Sequence, residues 1–254
     1  YQPADLIEMD RLIHTALSGM RASMDSQRVI ASNMANANTL GFRAEMLDQR
    51  AVTIEGQPNE ARAMQRASVR GADMAAGETI ATGRDLDVAV ETDALIAVQA
   101  VDGTEAYTRR GDLSVSATGL LVNGEGRPVL GDNGPITVPP VGIPGIAPDG
   151  SITIADPAAP DQPPAEIGRI KLAAWEGSPI SKGLDGLFRV EGGGILPTDE
   201  AATVKVGSLE QSNVKTTEVL VDMIDAQRLF AMRSKVISTA REIDESGAQL
   251  MRLG

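Results

Sequence analysis

Two stretches of the chain space their apolar positions as a helix would, and a long stretch between them does not. From Ile13, the positions Ile13, Leu17, Met20, Met24, Gln27, Ala31 and Met34 step by four and three in alternation. All but Gln27 are apolar, so they predict an amphipathic helix with a three-heptad seam. Asp10 is a suitable N-cap before it, and "ASNMANANTLGF" (31–42) is its stop. Asparagines compete for backbone hydrogen bonds and make poor helix interiors, and Gly41 frees the backbone for a turn. At the other end, from about Thr217 to Leu253, there is no proline and one glycine, Gly247. There Leu229, Val236, Ile243 and Leu250 recur at seven-residue intervals, and Val219, Leu220, Met223, Ile224 and Phe230 widen the apolar face. Two readings stay open: core helices of one domain, or a coiled coil that offers its outer faces to neighbours.

Between these ends the texture is that of short strands. "LDVAV", "ALIAVQ", "LSVSA", "GLLV", "PITVP", "SITIA" and "IGRIKLAAW" are separated by turn sequences such as "DGT", "NGEG", "GDNG" and "PDG". An antiparallel β-domain, sandwich-like or barrel-like, follows. The fold class expected is α+β, the N- and C-terminal helices pairing as a coiled coil around a central antiparallel β-rich domain. The expected division is residues 9–36 with 213–254 as the helical part, 37–80 with 196–212 as connecting segments, and 81–195 as the β-rich domain. The Pro-rich runs at 140–150 and 155–166 are expected to be surface loops.

Composition narrows the function. Of 254 residues 42% are hydrophobic but only 2% aromatic, so any core is built from Ala, Val, Ile, Leu and Met. The net charge of −12, without a basic run, gives nucleic acid no cationic face and disfavours an anionic membrane surface. Cysteine is absent, which removes disulfides, thiolate metal sites and a Cys nucleophile. No window is long and apolar enough to span a membrane, and the first residues do not read as a cleaved signal peptide. The lone histidine, His14, cannot form a His-paired metal site. Asp85 and Asp87 are expected to be solvated charge on one strand face. "GEGRPVLG" (124–131) lacks the third glycine and the Lys-Ser/Thr of a phosphate loop, and reads as a hairpin turn. No catalytic residue, cofactor site or metal site is expected. Of the Trp and Tyr that a glycan-binding module would use, only Trp175 and Tyr107 are available in the β-rich part.

"MDRLIHTALSGMRASMDSQRVIASNMANANTLGFRAE" (9–45) resembles the N-terminal signature of flagellar basal-body rod and hook proteins. The shared pattern is met at Ala31, Asn33, Ala35, Asn36, Thr39, Gly41 and Phe42. "GSLEQSNVKTTEVLVDMIDAQRLFAMRSKVIST" (207–239) resembles the C-terminal segment of that family, and residues 106–139 resemble its β-domain. Within the family the opening, the length and the modest β-domain are most like proximal rod members; distal rod or hook-type axial members are the alternative. Leu40 and Lys215 depart from the family pattern, and eight residues precede Met9. The resemblance implies a structural subunit, exported by the flagellar type III apparatus and packed helically with copies of itself and neighbouring rod proteins. Surrounding ring proteins are further neighbours it implies. Subunit packing would then fall to Ile13, Leu17, Met20, Met24, Met34, Met223, Leu229, Val236, Ile243 and Leu250. Residue chemistry adds Asn36 and Gly41 as directors of the turn and Phe42 as its anchor.

Overall fold

The computed structural model describes residues 4–54, 62–156 and 162–252. The first helix, α1, spans Ala4–Ala35 and so begins before Asp10, which lies within it rather than capping it. Two long strands follow, β1 (Glu45–Ile54) and β2 (Arg62–Ala72). Then come β3 (Thr79–Ala81), β4 (Val88–Val90), β5 (Ala94–Gln99), β6 (Glu105–Thr108), β7 (Leu113–Val115), β8 (Leu121–Asn123) and β9 (Leu130–Gly131). They continue with β10 (Gly134–Pro135), β11 (Ile143–Ile146), β12 (Ser151–Ala155), β13 (Ala165–Arg169), β14 (Leu172–Ala174), β15 (Ile180–Lys182) and β16 (Phe188–Val190). The last strands are β17 (Val204–Val206) and β18 (Ser208–Glu210), and the chain closes with α2, Thr216–Arg252. The fold is α+β, with two helices and a largely antiparallel β-rich part. Residues 157–161, inside the Pro-rich run, lie outside the described residues.

Two compact units are formed: Tyr1–Ala35 with Glu45–Arg70 and Lys215–Gly254, and Asn36–Ala44 with Gly71–Val214. In the first unit α1 and α2 lie against each other in opposite directions. Gln27 donates to the Ala226 carbonyl, and Arg233 donates to the Gly19 carbonyl and the Ser23 hydroxyl. The strands β1 and β2 pair only with each other among the described residues.

In the second unit the largest sheet runs β14-β5-β6-β16-β15. Its strand β5, "ALIAVQ", is a continuous apolar run because both faces are buried. Ala94, Ile96 and Val98 join a core with Val88, Leu113, Leu121, Ile152, Ile170 and Leu187; Leu95 and Ala97 join a second with Tyr107, Phe188 and Leu196. A three-stranded sheet, β11-β12-β13, adds Ile146 and Ile152 to the first core. The stretch 124–131 does form a hairpin turn, closed by the Gly126 N–H on the Asn123 carbonyl. Two expectations fail here. Residues 140–150 are not all loop, since Ile143–Ile146 pair with β12 as β11. Asp87 is buried, accepting the Thr82 hydroxyl at 2.6 Å, while Asp85 is exposed. The chain turns between them, so they do not share a strand face.

Candidate assembly interface

The asparagine-rich exit from α1 is a set of backbone substitutes. Asn33 is buried, and its side chain pairs with the main chain of Glu45 in both directions. Its Nδ2 donates to the Glu45 carbonyl at 3.0 Å and its Oδ1 accepts the Glu45 N–H at 2.8 Å. A side-chain amide thereby supplies the hydrogen bonds that a neighbouring strand would give. Asn36 opens the turn: its carbonyl accepts the Thr39 N–H at 3.0 Å, and its Oδ1 accepts the Thr39 hydroxyl at 3.1 Å. Asn38 is exposed.

Gly41 sits at φ +64°, and a Cβ there would lie 2.4 Å from the Arg109 carbonyl carbon. Both the backbone angle and the close approach demand glycine. Its N–H bonds to the Glu210 carbonyl at 2.8 Å. The Phe42 ring is buried beneath Lys182, whose Nζ stands 3.3 Å above the ring centroid and also donates to the Arg43 carbonyl.

Beside this turn, three charged side chains are almost wholly buried: Arg43, Arg109 and Glu210. Glu210 Oε1 meets Arg43 Nη1 and accepts the Gly77 N–H, while Oε2 accepts Arg109 Nε at 2.8 Å. Arg109 spends its remaining donors on the carbonyls of Val90, Thr92 and Ala94. Arg43 adds the Ala75 carbonyl at 2.7 Å. Burial pushes the Arg43 guanidinium below its ordinary value and the Glu210 carboxylate pulls it back up. Asn213 completes the tie, accepting the Ala44 N–H and donating to the carbonyls of Asp73 and Ala75. Segments 36–44, 71–78 and 208–213 are thus fastened together around one carboxylate. Glu210 and Asn213 lie in the 207–239 stretch that carries the resemblance, and Arg43 and Arg109 in 9–45 and 106–139, with no role read for any of them. Isolated charged residues carry no periodicity, and their pairing spans more than 100 positions.

On the helices the inward faces are not those that large apolar spacing marks out. Among the described side chains of α1, from residue 17 on, the buried positions are Ser18, Gly19, Ala22, Ser23, Val29 and Asn33, mostly small or polar. Leu17 and Met24 are exposed, Met24 at 57%, on nearly the opposite side of a helix of about 3.6 residues per turn. In α2 the sheltered line is Val219, Met223, Ala226, Phe230, Arg233 and Ile237, stepping by four and three. Leu229 and Val236 stand one position off it and are exposed, with Leu220, Val221, Ile224 and Met232. Met20 and Met34 are half-buried. The side chains of Ile13, Ile243 and Leu250 lie outside the described residues. Of the seam read on α1, Leu17 and Met24 are thus exposed while Gln27 meets the Ala226 carbonyl of α2, and the small Ser18, Ala22 and Ser23 are buried.

Among the described residues no group of His, Asp and Glu is placed to hold a metal ion, and no helix is long and apolar enough to cross a membrane. Tyr107 is fully buried, with burial raising its phenol above the ordinary value, so it offers no ring to a ligand. Two long paired helices with outward apolar side chains, and a separate β-body with no site for chemistry among the described residues, are the parts of a structural assembly subunit.

Comparison with known proteins gives that class its family. Residues 13–43 match the family of flagella basal body rod proteins, 89–156 the D1 domain of the flagellar hook proteins FlgE/F/G, and 205–250 the C-terminal region of the flagellar basal body rod FlgEFG proteins. The flagellar basal-body rod protein FlgF of Salmonella typhimurium is 41% identical over 251 residues, covering 96% of this chain and all of that protein. FlgF of Escherichia coli is also 41% identical over the same shares, and the rod protein FlgG of Bacillus subtilis is 32% identical over 267 residues. The chain belongs to the flagellar basal-body rod family and is of the FlgF type, a structural subunit of the proximal rod.

Proposed function

We propose that this subunit polymerises helically, with copies of itself and with neighbouring rod proteins, into a periplasm-spanning shaft that transmits torque. The terminal helices act in it as a coiled coil, and the outer lines of that pair are the contacts between subunits. What carries the reading is the exposure of Leu17 and Met24 on α1 and of Leu229, Met232 and Val236 on α2. A helix apolar beyond its own seam is one that expects burial on more than one side. Met20, Met34 and Met223 edge the same contacts, and Ile13, Ile243 and Leu250 continue them. Asn36, Gly41 and Phe42 fix the direction in which the chain leaves the packed helix. The subunit reaches its place through the flagellar type III export apparatus, and ring proteins surround the finished shaft. Nothing in this role asks for a cofactor or for catalysis.

Incorporation into basal bodies tests the reading. Met24→Asp and Val236→Asp place a carboxylate on the outer lines and should leave the subunit exported and folded but missing from purified basal bodies, with motility lost. Wild-type swimming and normal subunit content in both variants would remove these lines from the assembly contact.

A further inference from the structure

The β-body carries an open groove of about 520 Å³ between Asp132–Thr137 and Glu166–Arg169. Each wall is the edge of a sheet. Strand β13 pairs with β12 on one side and with no strand on the other, and β10 pairs only with β9, among the described residues. The face of β13 is also uncovered at Gly168, where a Cβ would meet nothing within 4 Å. Of the three charged residues lining the groove, Arg169 is engaged by Asp149 at 2.6 Å, while Asp132 and Glu166 are exposed carboxylates with no ion-pair partner among the described residues. An unpaired strand edge is a template for another strand, and this one is flanked by negative charge.

The chain itself contains a strand of the matching kind. The β1–β2 ribbon is two-stranded and has no third strand on either side among the described residues, an arrangement of little stability without a partner. The sequence of β2, RAMQRASVRGA, holds three arginines and no carboxylate, in a chain of net charge −12. We propose that the groove lined by Asp132 and Glu166 receives β2 of a second copy, which adds as a strand beside β13 with its arginines against the two carboxylates. This deepens the assembly reading, since it names a second contact between copies, away from the helices. Main-chain hydrogen bonds would supply the attachment and the charges its orientation.

The test uses the full chain and a fluorescein-labelled peptide of residues 62–72, followed by fluorescence anisotropy at low ionic strength. Saturable binding is expected, weakened about tenfold or more by Asp132→Lys with Glu166→Lys. Both positions are exposed, so circular dichroism of the double variant should match the parent. A peptide with its three arginines changed to glutamate should bind the double variant in preference to the parent chain. Equal binding of the original peptide to both proteins, absence of saturable binding, or failure of the charge-swapped peptide to recover affinity would each overturn the proposal. None of these outcomes bears on incorporation through the helices, which is read separately in basal bodies.

Discussion

Gly41 separates two demands that are usually confounded, a left-handed backbone and a close neighbour. A side chain at φ +64° costs about 1–2 kcal/mol by itself. At Gly41 the added Cβ would also run into the Arg109–Arg110 peptide, whereas Gly103, at φ +82°, has nothing within 4 Å. Gly103→Ala is therefore expected to lose about 1 kcal/mol and Gly41→Ala roughly 3 kcal/mol or more, measured by thermal and urea unfolding. Glu210 poses a sharper demand, because two guanidiniums are buried against it. Glu210→Gln keeps shape but removes the counter-charge, and should cost roughly 3–5 kcal/mol in the same assays. Asp149 behaves differently. The Ser151 hydroxyl and N–H, with Arg169, hold its carboxyl down to about 2, below the ordinary 3.8. A depressed carboxyl contributes stability above its unfolded value, and that contribution is lost as pH falls from about 3.8 to 2. The pair is half-exposed and screened, so Asp149→Asn should cost under about 1 kcal/mol at pH 7, and less as the pH falls toward and below about 2.

Each helix has an inner line and outer lines, and substitution can tell them apart. Ala22→Asp or Ala226→Asp buries a carboxylate between α1 and α2 and should lower the helix signal of the isolated subunit in circular dichroism melts. Met24→Asp and Val236→Asp should shift those melts by no more than about 0.5 kcal/mol, despite their expected effect on assembly. Equal losses from both sets would mean that the outer lines are core. This difference also marks what the sequence made legible. The end of α1 and the extent of α2 are legible in proline-free heptad spacing and the strands of the β-body in short β-branched runs broken by turns, whereas α1 starts at Ala4, ahead of the cap expected at Asp10. Which face of α1 turns inward is not legible, since Ser18, Ala22 and Ser23 carry little hydrophobic signal and Leu17 and Met24 carry most of it. Strands β1 and β2 fall in a stretch read as connection because Glu, Asp, Gln, Arg, Met and Ala dominate them and β-branched residues are few. The exit turn was read correctly at Gly41, while the strand-like pairing of Asn33 with Glu45 needed coordinates.

At the scale of the whole molecule, the second unit is assembled from separate parts of the chain. Arg43 and Asn213 hold residues 36–44 to the body by buried contacts, so cutting within 45–70 should leave that piece attached. Limited trypsin digestion followed by native size-exclusion and mass mapping should find a peptide containing Phe42 co-migrating with the core. Release of that peptide on the first cut would contradict the packing around Glu210. The position of Glu210 also has a meaning in time. A chain made or threaded from its N-terminus presents Arg43 first, Arg109 next and their shared carboxylate last, after four-fifths of its length. Until residue 210 emerges, closing the body would bury two cations with no anion between them, and β3 and β4 would lack the strands that pair with them. Premature closure is thereby penalised, which would let a chain that travels unfolded through the export apparatus proposed above keep its compact state for the moment of release.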